Sequence, residues 1–472
     1  MSLIRLPVLS TGQRAIALLL VCALQALYNA TLPLSGDEAY YWVWAKTLQA
    51  GYHDHPPGIA VLMALTTGLF GDGVAAVRLV AVLCMGGAIF YLSQMAREVF
   101  GAATATLALV LALVLPGSAA GFTLATPDSP LVLFWAAAAY HGRQAVAGEG
   151  RWRDFLLAGL CVGLALASKY TAVLLPGAIV AFMLLRRRDL FLSARTWAAV
   201  AVALAAFSPV VWWNVVHDFE SFSFQYKHGA GKAPGAQWQW LAEFLGGQLL
   251  ILSPVLFALL FARIAKWREW WGDDNRAYLM TCFLLPALFF CYKALFTKIQ
   301  MNWAVPIYVS AVPLIADFIL TRHLKRIAVA AVLVAILLGA AFKWPLAFGL
   351  TGKQNPHNRL HGPETAAAVV ETLRRPGDAL FSDHLQRASL LRFLLPDHPR
   401  VYIPVPSRFS EYTRWDLGID FRGMHGLYLG ESQRRDELIA VFGAAELVRE
   451  VVAEDKGFRT ERYYVYRVGA AD

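Results

Sequence analysis

The chain has 472 residues, of which 58% are hydrophobic and only 16% charged, with a formal net charge of +9. A soluble globular chain carries about 25% charged residues, so this composition excludes an ordinary soluble protein and reads as a polytopic membrane protein. The five cysteines, Cys22, Cys84, Cys161, Cys282 and Cys291, all lie in apolar runs without CxxC spacing, which predicts neither a disulfide nor a cysteine-bound metal.

A bilayer crossing needs about 20 apolar residues. Runs of this kind are predicted near 15–33, 74–93, 101–121, 129–147, 154–168, 171–186, 196–213, 246–263, 277–293, 303–320 and 327–343, about eleven transmembrane helices. The run Ala15–Ala30 follows Arg14 and has the length of a signal peptide, but a polar loop comes directly after it, so it reads as a retained first span. With the N-terminus in the cytoplasm, the cytoplasmic loops carry 17 lysines and arginines and the opposite loops 6. That bias orients the chain with the loop after the first span, and everything beyond residue 343, on the outer side. Residues 344–472 differ in kind. Strand-length apolar runs at Ala379–Phe381, Val401–Ile403 and Gly426–Leu429 alternate with helical patterns over Asp383–Leu395 and Gln433–Phe442, which predicts a small soluble α/β domain. From Lys343 onward 18 basic residues face 17 acidic ones, so the basic excess sits in loops facing anionic lipid, and nucleic-acid binding is excluded.

The first outward loop, Ser35–Pro57, reads SGDEAYYWVWAKTLQAGYHDHPP. Asp37 and Glu38 open it; Asp54, flanked by His53 and His55, closes it before Pro56 and Pro57 stop any helix. Asp37 also reads as the N-cap of a helix over Glu38–Gln49, and Tyr40, Tyr41, Trp42 and Trp44 as an aromatic belt at the bilayer interface. The other outward loops contribute Asp128 in TLATPDSP, Lys169 in SKYT, His217, Asp218, Lys227 and His228 in the stretch 212–240, and Lys293, Lys298, Gln300, Asn302 and Trp303. Lys169 also reads as a lysine snorkelling to headgroups.

Carboxylates, histidines and lysines therefore gather on one membrane face. A carboxylate serves as general base toward a hydroxyl. Lysine or histidine steadies a departing phosphate, and a carboxylate with a histidine holds a divalent ion. This mix suits transfer of a group from a phosphate-linked lipid to a hydroxyl. No Walker loop and no strand-borne GxGxxG is present, and no organic cofactor is expected.

The acidic pair after the first span, the DHPP ending of its loop, the TPDSP loop and the SK step, in this topological order, resemble the GT-C glycosyltransferases. The resemblance is to bacterial members of the protein mannosyltransferase superfamily, including the lipid A aminoarabinose transferases and the lipopolysaccharide galacturonosyltransferases, and it covers about residues 15–345. It implies a mostly α GT-C membrane domain over 1–343, a polyprenyl-monophosphate sugar donor and inversion at the anomeric carbon. It assigns Asp37 as general base, places Asp54 at a position that can bind a metal with His228 as the matching histidine of the later loop, places His55 at a position that serves the donor phosphate, and matches Asp128, a candidate substrate-binding residue, to an acid of the second outward loop. Glu38, Tyr40, Tyr41, Lys169 and Lys298 complete the candidate substrate-binding set. The chain departs from the pattern at Tyr40, where an arginine is expected, and at His55, where the aminoarabinose enzymes have lysine. The expected acceptor is a hydroxyl of lipopolysaccharide, lipid A or another envelope glycolipid, with a protein hydroxyl as the alternative, at the periplasmic side of a bacterial inner membrane. A lipid-carrier flippase would call for charges within the spans and internal repeats; neither stands out in the sequence. A structural subunit that recruits partners through the C-terminal segment is a further alternative.

Overall fold

The computed structural model describes residues 8–229, 235–454, 457, 458 and 460–469. The chain is mostly helical and divides into two compact units. One comprises Met1–Ala30, Gln49–Gly71 and Arg78–Lys343, the other Thr31–Leu48, Asp72–Val77 and Trp344–Asp472.

The first unit is all helical. Among the described residues, six helices are long and apolar enough to cross a bilayer: Thr11–Asn29, Val74–Phe100, Ala194–Val216, Asp274–Ala294, Met301–Thr321 and Lys325–Lys343. Two bent pairs raise the number to eight. Ala102–Val114 and Pro116–Thr123 meet at 65°, and Trp238–Leu252 and Pro254–Ala265 at 105°. Each break falls where a proline opens the second helix, because its ring excludes the hydrogen bond that would continue the first. Three of the eleven predicted spans fall outside this count. Trp152–Leu166 has 15 residues and Leu174–Arg186 has 13, while Asp128–Val146 carries Asp128, His141 and Arg143.

Burial separates central from peripheral helices. The best apolar window of Met301–Thr321 is 83% buried, and that of Thr11–Asn29 only 11%, with Leu19, Leu20, Leu24 and Leu27 facing outward as lipid-contacting side chains do. Close helix crossing rests on small residues. A Cβ added at Gly159 would lie 2.2 Å from the Ala199 carbonyl oxygen, and one at Gly163 2.5 Å from that of Ala203. The Gly-x-x-x-Gly spacing is what allows Trp152–Leu166 to lie directly against Ala194–Val216.

The second unit holds a five-stranded mixed sheet: β1 (Ala379–Ser382), β2 (Val401–Tyr402), β3 (Gly426–Gly430), β4 (Ala445–Ala453) and β5 (Glu461–Val468), in the order β2-β1-β3-β5-β4. β1 pairs in parallel with β2 and β3, and β5 runs antiparallel between β3 and β4. The helices Leu385–Leu394 and Glu411–Trp415 supply the connections that parallel pairing requires. Phe381 and Tyr428 pair across β1 and β3, and Tyr428 and Tyr466 across β3 and β5, forming a core closed by Leu438 and Phe442.

The helix Gly36–Lys46 packs within this same unit, against Leu385–Leu394. This corrects the expected bilayer-interface belt. Trp42 and Trp44 are fully buried; Trp42 meets Phe393 and His398 edge-on at 5.1 and 5.0 Å, and Tyr40 stacks on Tyr412 at 6.0 Å. An amphipathic aromatic ring satisfies a protein core as readily as a headgroup layer once its polar atom has a partner. The Trp42 indole N–H donates to Asp72 at 2.8 Å, and the Tyr40 hydroxyl accepts from the Glu411 amide at 3.0 Å.

Candidate active site

Asp37 stands in the first turn of Gly36–Lys46. The cap of that helix is Ser35, not Asp37. The Ser35 hydroxyl accepts from the Glu38 amide at 3.3 Å, and the Glu38 carboxylate accepts from the Ser35 amide at 3.0 Å. This reciprocal box occupies Glu38, which is fully buried, and leaves the Asp37 carboxylate exposed. Gln386 Nε2 donates to Asp37 Oδ1 at 2.7 Å. The approach needs a glycine beside it, since a Cβ on Gly36 would lie 2.6 Å from Gln386 Cβ.

Asp37 borders a polar cavity of about 420 Å³, lined also by His384, Gln386, Arg387, Glu431 and Tyr463. Arg387 is the fixed cation of this wall, paired with Asp383 and Glu431 at 2.6 Å each. His384 is held below its ordinary value, first by burial and then by the neighbouring Arg387 and Arg408 charges, so its ring favours the neutral form. A carboxylate in a polar, hydrogen-bonding cavity is placed to receive a proton from a saccharide hydroxyl. Tyr40 and Tyr41 belong to the same helix as Asp37 and are buried. The Tyr41 ring lies 5.0 Å from that of Trp44.

The first unit carries the other candidates. Asp128 opens the helix Asp128–Val146 after Pro127. Lys169 follows Trp152–Leu166, is 7% exposed, and places Nζ 2.6 Å from Asp128 Oδ1. Asn302 Nδ2 donates to Asp128 Oδ2 at 2.8 Å, and Lys169 Nζ lies 5.6 Å from the Trp303 ring centroid. Instead of snorkelling, Lys169 is held in a part-buried ion pair, because a carboxylate at a helix start 41 residues earlier meets it. An apolar cavity of about 180 Å³ adjoins, lined by Gly121, Leu124, Val132 and Val305, with Asp128 and Asn302 among its polar groups.

The HDHPP turn docks on the helix Glu220–Gly229. His53 Nδ1 lies 2.7 Å from Glu220 Oε1, Gln225 Nε2 donates to the Asp54 carbonyl at 2.5 Å, and the His53 and Phe224 rings are 4.5 Å apart. Asp54 is buried and His55 half-buried, with the His55 carbonyl accepting from the Tyr52 amide at 3.2 Å. Lys298 is a surface residue paired with Glu243 at 2.9 Å. His228 falls in the helix Glu220–Gly229, and its side chain lies outside the described residues. Among the described residues no group of three or more His, Cys, Asp or Glu gathers as a metal-holding set.

Sequence reasoning passed over Gln386, Arg387, His384 and Glu220. The first three lie more than 340 residues from Asp37 in a segment without a recognised motif. Glu220 had a local signal, an acid beside His217 and Asp218, but no spacing that ties it to His53.

Residues 54–213 match the family described as dolichyl-phosphate-mannose-protein mannosyltransferase. The lipid A galacturonosyltransferase RgtD of Rhizobium johnstonii is 27% identical over 365 residues, 75% of this chain and 71% of that protein. The undecaprenyl phosphate-alpha-4-amino-4-deoxy-L-arabinose arabinosyl transferase 1 of Pseudomonas fluorescens is 30% identical over 277 residues, and the chain covers 46% of its length. In structure, ArnT of Cupriavidus metallidurans bound to undecaprenyl phosphate superposes with a TM-score of 0.70 at 14% identity, covering 98% of this chain and 100% of that one. The oligosaccharyltransferase of Archaeoglobus fulgidus superposes with a TM-score of 0.54 at 12% identity, covering 82% and 63%. The chain thus shares its fold with ArnT along nearly its whole length and resembles the GT-C glycosyltransferases of the protein mannosyltransferase superfamily.

Proposed function

We propose that this chain is an integral membrane glycosyltransferase that moves a sugar from a polyprenyl-phosphate-linked donor to a hydroxyl of an envelope glycolipid such as lipid A. The observation that carries this reading is the Asp37 carboxylate, exposed on the wall of a polar cavity and oriented by Gln386. The names of the similar proteins supply the donor and acceptor classes.

In this reading Asp37 accepts the proton of the acceptor hydroxyl as its oxygen attacks the anomeric carbon. The bond from that carbon to the lipid phosphate breaks with inversion, and the polyprenyl phosphate leaves. Lys169 and His55 are the proposed phosphate partners. Lys169 is held at one end by Asp128, so it approaches a donor phosphate as part of a paired unit rather than as a free cation. Glu38, Tyr40 and Tyr41 act behind Asp37, fixing the helix that carries it. A divalent ion at Asp54 and His228, a substrate contact at Lys298, the eleven crossings, the division into residues 1–343 and 344–472, and the periplasmic face of a bacterial inner membrane all belong to the same proposal. A protein hydroxyl as acceptor is the second reading, favoured by the description of the family matched by residues 54–213.

The test is mass spectrometry of envelope glycolipids from a strain lacking the gene, complemented with wild-type chain or Asp37→Asn. A lipid A species one sugar lighter in the deletion strain, restored only by wild type, is expected. An unchanged glycolipid profile together with a lost protein modification would move the acceptor to protein.

A further inference from the structure

The unit that holds Asp37 has a second cavity with no part in the reading above. It measures about 330 Å³ and is lined by Thr47, Arg392, Arg400, Tyr412, Trp415 and Asp416, among others. Its charges do not cancel. Asp416 is satisfied on both oxygens: Arg400 Nη2 donates to Oδ1 at 3.0 Å, and the Ile403 amide donates to Oδ2 at 2.8 Å. Arg400 also donates to the Trp415 carbonyl at 3.3 Å. Arg392 is the remaining cation. Among the described residues no acid pairs with it, its Nε is buried without a hydrogen-bond partner, and its guanidinium lies 5.8 Å from the Trp42 ring centroid. A half-buried guanidinium without a carboxylate, on the wall of a cavity, is short of one anion. Its planar fork matches two oxygens of a phosphate, and Trp415 adds an aromatic wall beside it.

The position of the cavity is set by one helix. Gly36–Lys46 carries Asp37 in its first turn and ends at Thr47, ten residues on, which is about 15 Å along a helix axis. A saccharide of a few rings spans that distance.

We propose that this cavity binds a phosphate group of the acceptor's saccharide headgroup through Arg392, while Asp37 faces the reacting hydroxyl. The identity of the headgroup rests on the glycosyltransferase reading; the anion site does not.

Binding is measured without sugar donor, so turnover plays no part. Full-length protein in lipid nanodiscs is titrated with bisphosphorylated lipid A and with its dephosphorylated form. The wild type should prefer the phosphorylated lipid. Arg392→Gln should weaken that binding roughly 10-fold or more, the scale of one lost charge-assisted hydrogen bond, and leave the dephosphorylated lipid unaffected. Inorganic phosphate should compete in the wild type and not in Arg392→Gln. Arg392→Lys keeps the charge without the fork and should fall between, which serves if the glutamine variant does not fold. Exposed Arg422→Gln should change nothing. Equal affinity of wild type for the two lipids overturns the proposal, as does Arg392→Gln binding that matches wild type or an equal loss in Arg422→Gln. Phosphate that binds through Arg392 while the two lipids bind alike would mark a free-anion site and overturn the headgroup assignment. Expected binding with no sugar transfer in any acceptor assay would defeat the enzymatic reading and leave the anion site standing.

Discussion

Replacing Asp37 with asparagine separates basicity from geometry. The amide oxygen of the new side chain can still accept from Gln386 Nε2, which lies 2.7 Å from Asp37 Oδ1 in the native chain, so the side chain keeps its place. The cap of the helix is made by Ser35 and Glu38 and does not involve Asp37, so folding is little affected. Loss of one acidic group from a helix N-terminus costs about 0.3–1 kcal/mol. Loss of a general base lowers the rate about 10²- to 10⁴-fold, equivalent to about 2.7–5.5 kcal/mol of transition-state stabilisation. The assay is sugar transfer from a synthetic polyprenyl-phosphate donor to lipid A in nanodiscs, followed by mass spectrometry, with kcat and KM measured for both lipids. The fall should lie in kcat, with KM nearly unchanged. Turnover of folded Asp37→Asn within about threefold of wild type would remove Asp37 from the chemistry and with it the proposed mechanism.

Gln386→Leu removes the donor that orients Asp37 and should reduce kcat by roughly 10-fold with little change in KM, the value of a hydrogen bond to a charged group; a loss confined to KM would show that Gln386 contacts substrate instead. Lys169→Met leaves the half-buried Asp128 carboxylate with the Asn302 amide but without its cation, which should cost about 1–3 kcal/mol of stability. Adding Asp128→Asn should recover part of that loss in thermal unfolding, and a strictly additive double variant would contradict the pair. His384 binds protons less readily in the folded chain than at its ordinary value of 6.5. Its contribution to stability is therefore complete above pH 6.5 and is lost as pH falls from there through the lowered folded value. Melting curves of His384→Asn should be flatter than wild type across that window, and identical slopes would refute the assignment.

The apolar runs identify a membrane protein without any tertiary information, because about 20 consecutive apolar residues have no stable alternative to the bilayer. They do not show how each crossing is built. A hydropathy window averages across Pro116 and Pro254 and cannot see that each ends one helix and starts another at 65° or 105°. Three of the β-strands, β1 to β3, fall on short apolar runs flanked by polar turns. β4 carries charged residues along its exposed positions and offers no such run.

The same division runs through the site. Asp37, Asp128 and Lys169 stand out because an ionisable group next to an apolar span is costly and needs a reason. Chemical type and local motif determine that much. The sequence leaves open which groups meet. Asp128 and Lys169 are 41 residues apart and pair at 2.6 Å; Asp37 and Gln386 are 349 apart and pair at 2.7 Å. The aromatic run Tyr40–Trp44 reads equally well as an interfacial belt or a core face, since both environments reward a ring with one polar atom. Only packing of Gly36–Lys46 against Leu385–Leu394 chooses between them. Hydrophobic content is a sum over residues and can be read in one dimension. A hydrogen bond needs two groups within about 3 Å, and that distance is decided only when the chain has folded.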